Sequence, residues 1–299
     1  MSSCPEELTI AAPAKINLCL RVLRRRPDGY HEIESVMQKL AVADLLSLRL
    51  QNEGIVLECS DPDLPVGEEN LVWRAAWLFL EHIGSSGGVG IRLDKRIPIA
   101  AGLGGGSSDA AAVLVALNRL FASGLSEDQL AELGVKLGAD VPFFVRSAPA
   151  SLALGIGERL LPVAGLASGY VLLVNPGFAV STRWVYENLA LTSGGNPYIL
   201  APNSGALTSG NSGPASFDFN AASTAVFVND LEAVTIARHP VIAEIKQALL
   251  GYGARVAMMS GSGPTVFGCF QHLSEAQTAY RYFQYLYPDT VFLTEPRPA

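Results

Sequence analysis

The sequence predicts an α+β protein. Strand-like runs with alternating apolar residues lie on either side of helix-like runs, a glycine- and serine-dense loop leads into one helix, and the C-terminal part has a strand–loop–strand–helix order. The 299 residues suit one large or two medium domains, and the 49% hydrophobic content allows a sizeable core. The formal net charge of -7 argues against an extended nucleic-acid surface, which is usually basic.

Taken in order, Leu8–Ala11 and Ile16–Leu23 read as strands, the second with Ile16, Leu18, Leu20 and Val22 in alternation. Pro27-Asp28-Gly29 signals a turn, because proline fixes one dihedral and glycine tolerates a left-handed one. Leu45–Leu50 and Ile55–Cys59 suggest a hairpin. Asn70 reads as the cap of a helix over Leu71–Ile83, and Val89–Leu93 is a strand that delivers the chain to the glycine loop. Helices follow at Ser107–Phe121, with an acid in its first turn, and at Glu127–Leu137, led by Ser126 and closed by Gly138. Pro162 and Gly165 punctuate a boundary between Arg159 and Ser168. Beyond it, Tyr170–Val174 is a strand, Thr182–Leu189 and Val241–Leu249 are helices, and strands Arg255–Met259 and Thr265–Phe270 bracket the small-residue loop Ser260–Pro264 before a helix over Ser274–Phe283. The uncharged stretch Thr192–Ser216 is rich in Gly, Ser, Asn and Ala and cannot bury enough apolar surface to offset ordering. It reads as a dispensable surface insertion, with a lid as the competing reading.

The loop Pro98–Ala112, PIAAGLGGGSSDAAA, holds four glycines and two serines. Bare backbone can turn several N–H groups toward one anion, and a helix starting there adds unpaired donors and the positive end of its dipole. This is phosphate-cradle chemistry without the Walker pattern, because no lysine precedes Ser107 or Ser108. A flexible turn capping a core helix is the bland alternative. The four cysteines are scattered (Cys4, Cys19, Cys59, Cys269), and neither they nor the four histidines have metal-ligand spacing. With no signal-peptide pattern and no long apolar run, the expectation is a soluble cytoplasmic protein with no nucleic-acid or membrane partner.

Two isolated charges stand out. Lys15 interrupts an apolar strand, where it is either a partnered functional cation or a snorkelling edge lysine; Asp140 precedes Val141-Pro142-Phe143-Phe144, where it is either a functional acid or a helix cap. Sequence alone does not pair residues this far apart. Tyr30 and His31 follow the Pro-Asp-Gly turn and by themselves read as packing and surface residues.

Three segments, PAKINLCLRVLRRRPDGYHEIESVMQ, PIAAGLGGGSSDAAAVLVALN and SGSGPTVFG, resemble the three signature motifs of the GHMP kinase superfamily. The pair PDGYHEI and GADVPFF (Gly138–Phe144) is more specific and resembles the branch acting on a cytidyl-linked methylerythritol in the non-mevalonate route to isoprenoid precursors. The resemblance implies a two-domain GHMP kinase fold. A ribosomal-protein-S5-domain-2-like domain would span residues 1–162 and a ferredoxin-like α/β sandwich residues 163–299, with the active-site cleft between them. It implies transfer of the ATP γ-phosphoryl group to the 2-hydroxyl of that alcohol. Asp140 would take the hydroxyl proton, while Lys15 keeps Asp140 ionised and stabilises developing charge. On the nucleotide side it implies Pro98, Gly102, Gly104, Gly105, Gly106, Ser107 and Ser108, with Asn70 and Lys95 as weaker candidates that otherwise read as a cap and a surface lysine. Mg2+ would be carried with ATP and touched by Ser107 or Ser108. On the substrate side it implies Tyr30 and Tyr186 clamping the cytosine, His31 hydrogen-bonding it, Asn17 near the erythritol, and Gly261, Ser262 and Gly263 lining the site. A monomer or weak homodimer is expected. The rivals are another kinase of the superfamily, for mevalonate, homoserine or galactose, which would need no base clamp, and a non-catalytic metabolite sensor, which would need no base.

Overall fold

The computed structural model describes residues 7–189 and 227–298, so the expected insertion at 192–216 lies outside the described residues, as does Cys4. In chain order the elements are β1 (Glu7–Arg25), β2 (His31–Gln51), β3 (Ile55–Cys59), α1 (Leu71–His82), β4 (Gly88–Asp94), α2 (Gly105–Leu120), α3 (Glu127–Val135), α4 (Val141–Val145), β5 (Ala150–Gly155) and β6 (Arg159–Pro162). They continue with β7 (Tyr170–Val174), α5 (Thr182–Glu187), β8 (Val228–Asn229), α6 (Glu232–Arg238), α7 (Val241–Gly251), β9 (Val256–Met259), β10 (Val266–Phe270), α8 (Leu273–Leu286) and β11 (Val291–Thr294).

The chain forms two compact units that do not divide at a single position. The first takes residues 7–14, 43–97 and 104–147; the second takes residues 15–42, 98–103 and the described residues from 148 onward. Residue 162 lies inside the second unit, because β5 pairs with Ile33–Gln38 of β2 and with β6, all of which belong to that unit.

In the first unit, β4 pairs antiparallel with Leu45–Gln51 of β2 and parallel with β3. Helix α1 packs on α2, and α4 packs on α2 and α3. The apolar period of α1 buries Val72, Ala75, Ala76, Phe79 and Leu80. Asn70 caps it, its Oδ1 accepting from Val72 N at 2.9 Å while its Nδ2 donates to Pro65 O at 2.7 Å. Ser126 and Gln129 close a capping box on α3.

In the second unit, Ile33–Gln38 of β2 pairs with β5, β5 with β6, and β1 meets β8 in parallel at Cys19–Val228. A separate four-stranded antiparallel sheet runs β11-β7-β10-β9, with α7 and α8 packed on it. Its core joins Leu172, Val174, Ile242, Ile245, Leu249, Phe270 and Phe283.

Three elements depart from the sequence expectation. Leu45–Leu50 and Ile55–Cys59 do not form the expected hairpin, because β4 lies between β2 and β3 and pairs with both. The two strands expected at either end of Pro13 are one strand of 19 residues, β1, buried on both faces over residues 12–20; burial overrides the break that proline signals. Helix α2 starts at Gly105, two residues early, on Gly104 in a left-handed conformation (φ 71°) with no side-chain cap. Asp109 therefore lies beyond the first turn and is not the dipole partner expected of it. Among the described residues no helix is long and apolar enough to cross a membrane.

Candidate active site

β1 alternates its side chains, so Lys15, Asn17 and Cys19 share one face while Ile16, Leu18 and Leu20 share the other. Lys15 is 5% exposed and Asn17 3%, far from a snorkelling edge residue. The Lys15 ammonium donates to Asn17 Oδ1 at 2.6 Å, and Asn17 Nδ2 donates to Ser35 Oγ on β2 at 2.8 Å. The backbone N–H of Lys15 donates to the Leu103 carbonyl at 2.9 Å, tying the strand to the first half of the glycine loop. A buried ammonium needs such hydrogen bonds, since desolvation costs several kcal/mol.

The loop Ser260–Pro264 closes on the same residues. A Cβ on Gly261 would lie 3.4 Å from Lys15 Nζ, Asn17 Oδ1 and the Gly102 carbonyl, so this glycine faces all three at close range. At Gly102 (φ +77°) a Cβ would fall 2.1 Å from the Ser260 carbonyl oxygen, so only glycine permits that approach of two backbones. Ser260 Oγ also donates to the Gly102 carbonyl, at 2.9 Å. From behind, buried Asn229 donates to the carbonyls of Met259 and Gly261, both at 2.8 Å, and Ser262 shares a 2.8 Å hydrogen bond with Thr182 at the start of α5. Gly263 sits against Met259, whose Sδ would be 2.5 Å from an added Cβ.

Helix α5 also carries Tyr186, whose ring stacks on His31 with centroids 5.0 Å apart and planes at 29°. Burial, then the Arg25 charge, lowers the His31 pKa, which favours neutral imidazole. Tyr30, next to His31 in sequence, is 61% exposed and presents a large ring to solvent. Its N–H donates to Asp28 Oδ1 at 3.1 Å, so the turn residue holds the backbone that carries it.

In the first unit, the second half of the glycine loop opens α2. Gly105, Gly106 and Ser107 are in its first turn, where N–H groups have no intrahelical acceptor. A Cβ at Gly105 would meet Lys95 Nζ at 3.0 Å and Ile97 at 3.1 Å, so the loop lies directly on Lys95. Ser107 is half-buried, and its Oγ would lie 3.9 Å from a Cβ on Gly138 of the GADVPFF segment. Ser108 Oγ is buried with no hydrogen-bond partner, which leaves a hydroxyl available beside the cradle. Asp140 is half-buried at the N-cap position of α4 yet makes no capping bond there, so the cap alternative does not account for it. The five residues after it are all buried and fix its place. Pro98 stands half-buried at the loop's entrance.

Lys95 is not a surface lysine. Its side chain is buried and donates to Asp44 Oδ2 and, at 2.9 Å, to Asp109 Oδ2. Asp44 also accepts from Arg96 N at 2.5 Å and Ile97 N at 2.8 Å. Burial depresses the Lys95 pKa, but Asp109 and Asp44 outweigh it and the net shift is upward. Asp109 is pushed up to about 7 by burial and the neighbouring Asp44, against the pull of Lys95. Its Oδ1 is buried without a hydrogen-bond partner. Sequence marks Asp109 only as an acid near a helix start and does not single out Asp44; a lone acid within the apolar run Leu40–Leu50 is the signal that marks Asp44. Ser35 and Asn229 carry no such signal.

Burial pushes the thiols of Cys19 and Cys269 up to about 12, so neither is poised as a nucleophile. Among the described residues no group of three His, Cys, Asp or Glu side chains could hold a metal ion.

Comparison with known proteins adds a second line. Residues 70–148 match the GHMP kinases N terminal domain and residues 215–289 the GHMP kinases C terminal domain. A 4-diphosphocytidyl-2-C-methyl-D-erythritol kinase of a Geobacter species is 47% identical over 92% of this chain and 93% of its own length. Its counterpart from Syntrophotalea carbinolica is 48% identical over 90% and 91%. Among solved structures, a 4-(cytidine 5'-diphospho)-2C-methyl-D-erythritol kinase superposes with a TM-score of 0.78 at 34% identity, covering 98% of this chain and 100% of that one. A homoserine kinase from Cytophaga hutchinsonii reaches 0.73 at 19% identity over 100% and 96%, a likeness of fold alone.

Proposed function

We propose a reaction and a division of roles from one premise: the chain belongs to the 4-diphosphocytidyl-2-C-methyl-D-erythritol kinases of the GHMP kinase family. It transfers the ATP γ-phosphoryl group to the 2-hydroxyl of 4-(cytidine 5'-diphospho)-2-C-methyl-D-erythritol, giving the 2-phosphate and ADP. The observation that carries the assignment of roles is the buried Lys15 ammonium, held on Asn17 with the Gly261 backbone against it. In a loose phosphoryl-transfer transition state, fixed positive charge and positioning matter more than basicity. Lys15 is such a charge, already ordered before substrate arrives. Asp140 accepts the hydroxyl proton, a role supported by its half-buried carboxylate making no capping bond to α4.

Gly104, Gly105, Gly106 and the first turn of α2 cradle the ATP phosphates, with Pro98 and Gly102 shaping the loop that leads to them. Lys95 lies beneath Gly105, and Asn70, whose side chain caps α1, remains the weaker candidate on the nucleotide side. Magnesium, when bound, neutralises phosphate charge. The donor set fits a hard cation that keeps its waters and phosphate oxygens, since the unpartnered Ser108 hydroxyl and the nearby Ser107 hydroxyl are the side chains that would hold it. On the substrate side, Tyr30 and Tyr186 clamp the cytosine and neutral His31 hydrogen-bonds its edge; the existing His31–Tyr186 stack supports a preformed seat. Asn17 keeps one N–H and one lone pair for an erythritol or phosphate oxygen. Gly261, Ser262 and Gly263 line that side. In chain order, residues 1–162 and 163–299 form the N- and C-terminal family domains, a division supported by the matched segments falling on either side of it.

The test is ATP consumption, followed with the cytidyl substrate, with mevalonate and with homoserine. Turnover with the cytidyl substrate alone is the expected result. Equal turnover with a substrate that lacks a base would overturn the clamp and favour another branch of the family.

A further inference from the structure

We propose that Ser35 is a positioning residue for Lys15, acting through the side-chain amide of Asn17; this rests on the role given to Lys15 above. Four groups form one directed chain. Lys15 Nζ donates to Asn17 Oδ1 at 2.6 Å, Asn17 Nδ2 donates to Ser35 Oγ at 2.8 Å, and Ser35 Oγ donates to the Cys19 carbonyl at 2.7 Å. Lys15, Asn17 and Ser35 are 5%, 3% and 1% exposed, so water does not readily replace a lost partner.

The direction follows from which ends can only donate or only accept. A backbone carbonyl only accepts, so the single Ser35 proton is committed to Cys19 and Ser35 can offer Asn17 nothing but a lone pair. Asn17 must then turn its NH2 toward Ser35, which points its oxygen at the ammonium, a group that only donates. The flipped amide would set NH2 against NH3+ and oxygen against an oxygen lone pair, losing both bonds. Ser35 therefore makes one of two amide orientations the stable one before any substrate binds. With the Ser35 hydroxyl gone, Asn17 Nδ2 is a buried donor without that acceptor, and Lys15 alone holds the amide. A Cβ added to Gly261 would lie 3.4 Å from both Asn17 Oδ1 and Lys15 Nζ, so that glycine flanks the pair.

Three variants and two readouts test this. Ser35→Ala is expected to lower kcat about tenfold while KM for ATP stays within about twofold, because a misplaced charge costs the transition state more than nucleotide binding. Ser35→Thr, which keeps the hydroxyl, is expected to bring kcat back to within about threefold of wild type. In an Asn17→Ala background, Ser35→Ala should lower kcat no further, since its effect passes through Asn17. An equal loss in both backgrounds overturns the proposal, as does a Ser35→Ala enzyme with wild-type kcat. The second readout needs no activity: the Asn17 side-chain amide protons, followed by NMR hydrogen exchange, should exchange about tenfold faster in Ser35→Ala than in wild type. Unchanged exchange overturns the first link. Wild-type protein inert toward the cytidyl substrate would instead overturn the functional reading, and the exchange rates would still decide whether Ser35 holds the amide.

Discussion

Lys15 and Lys95 are both buried ammonium groups close to glycine loops, and within their own units they are tied down by different chemistry: Lys15 by an amide oxygen, Lys95 by two carboxylates. Asn17 fixes the Lys15 ammonium with a neutral oxygen, so that contact holds the group without cancelling its charge. Lys95 meets two carboxylates, Asp44 and Asp109, and Asp44 is itself anchored by two backbone N–H groups. Two carboxylates suit a cation that holds structure together beneath Gly105. Burial of a lysine therefore says little about its task without the side chains that orient it.

The comparison breaks if the two lysines respond alike to the same substitution. Lys15→Met should lower kcat by about 10²–10³ and leave the melting temperature within about 5 °C of wild type. Asp140→Asn should behave similarly, losing on the order of 10²-fold or more in kcat with ligand affinities within a few-fold. A D140N enzyme keeping a third of wild-type turnover would remove Asp140 from the mechanism. Lys95→Met, by contrast, leaves two buried carboxylates facing each other, and should cost about 3–5 kcal/mol of stability. Chemical denaturation of both lysine variants checks this, and equal stability losses would erase the distinction.

A smaller effect is expected at the base clamp, which neither lysine variant should imitate. Tyr30→Ala and Tyr186→Ala should each weaken a cytidyl ligand by about 1–3 kcal/mol while leaving ATP affinity unchanged within error. Calorimetric titration of both ligands decides it; equal losses for the two would show that the rings do not read the base.

The smallest effect sharpens the Lys95 side. Asp109 holds its proton more tightly in the folded protein than in the unfolded chain, with a pKa raised to about 7. The associated stability is complete at low pH and is lost as pH rises through about 7. Melting temperature should therefore decline modestly from pH 6 to pH 8, and Asp109→Asn should flatten that slope. His31 works in another window: its pKa lies below 6.5, so its contribution is lost as pH falls past its ordinary range. An Asp109→Asn protein with the wild-type slope would assign the pH dependence elsewhere.

Much of the fold was legible. The period of Leu71–Ile83 and its Asn70 cap, the strand Tyr170–Val174, and the strand–loop–strand around Ser260–Pro264 all stand where apolar spacing and turn residues place them. The misses have physical causes. Helix α2 begins inside its glycines because those residues need no cap side chain to adopt the helix start, and α4 is too short at five residues to show a period. Strands β5, β6 and β11 were not anticipated, since short edge or buried runs carry no distinctive alternation.

By itself the sequence determined the chemistry available. A lysine alone in a greasy strand, an acid before an apolar turn, and a glycine-serine run before a helix are local facts, because each follows from neighbouring residues and the cost of burying charge or bare backbone. Only the tertiary structure decided how those groups are held. Asn17 turns its oxygen to Lys15 because Ser35, 18 residues on, accepts from its nitrogen. Lys95 is quenched because Asp44, 51 residues earlier, and Asp109, 14 later, converge on it. Hydrogen bonds and ion pairs depend on separations of a few ångströms, and strand pairing rather than chain order sets those separations.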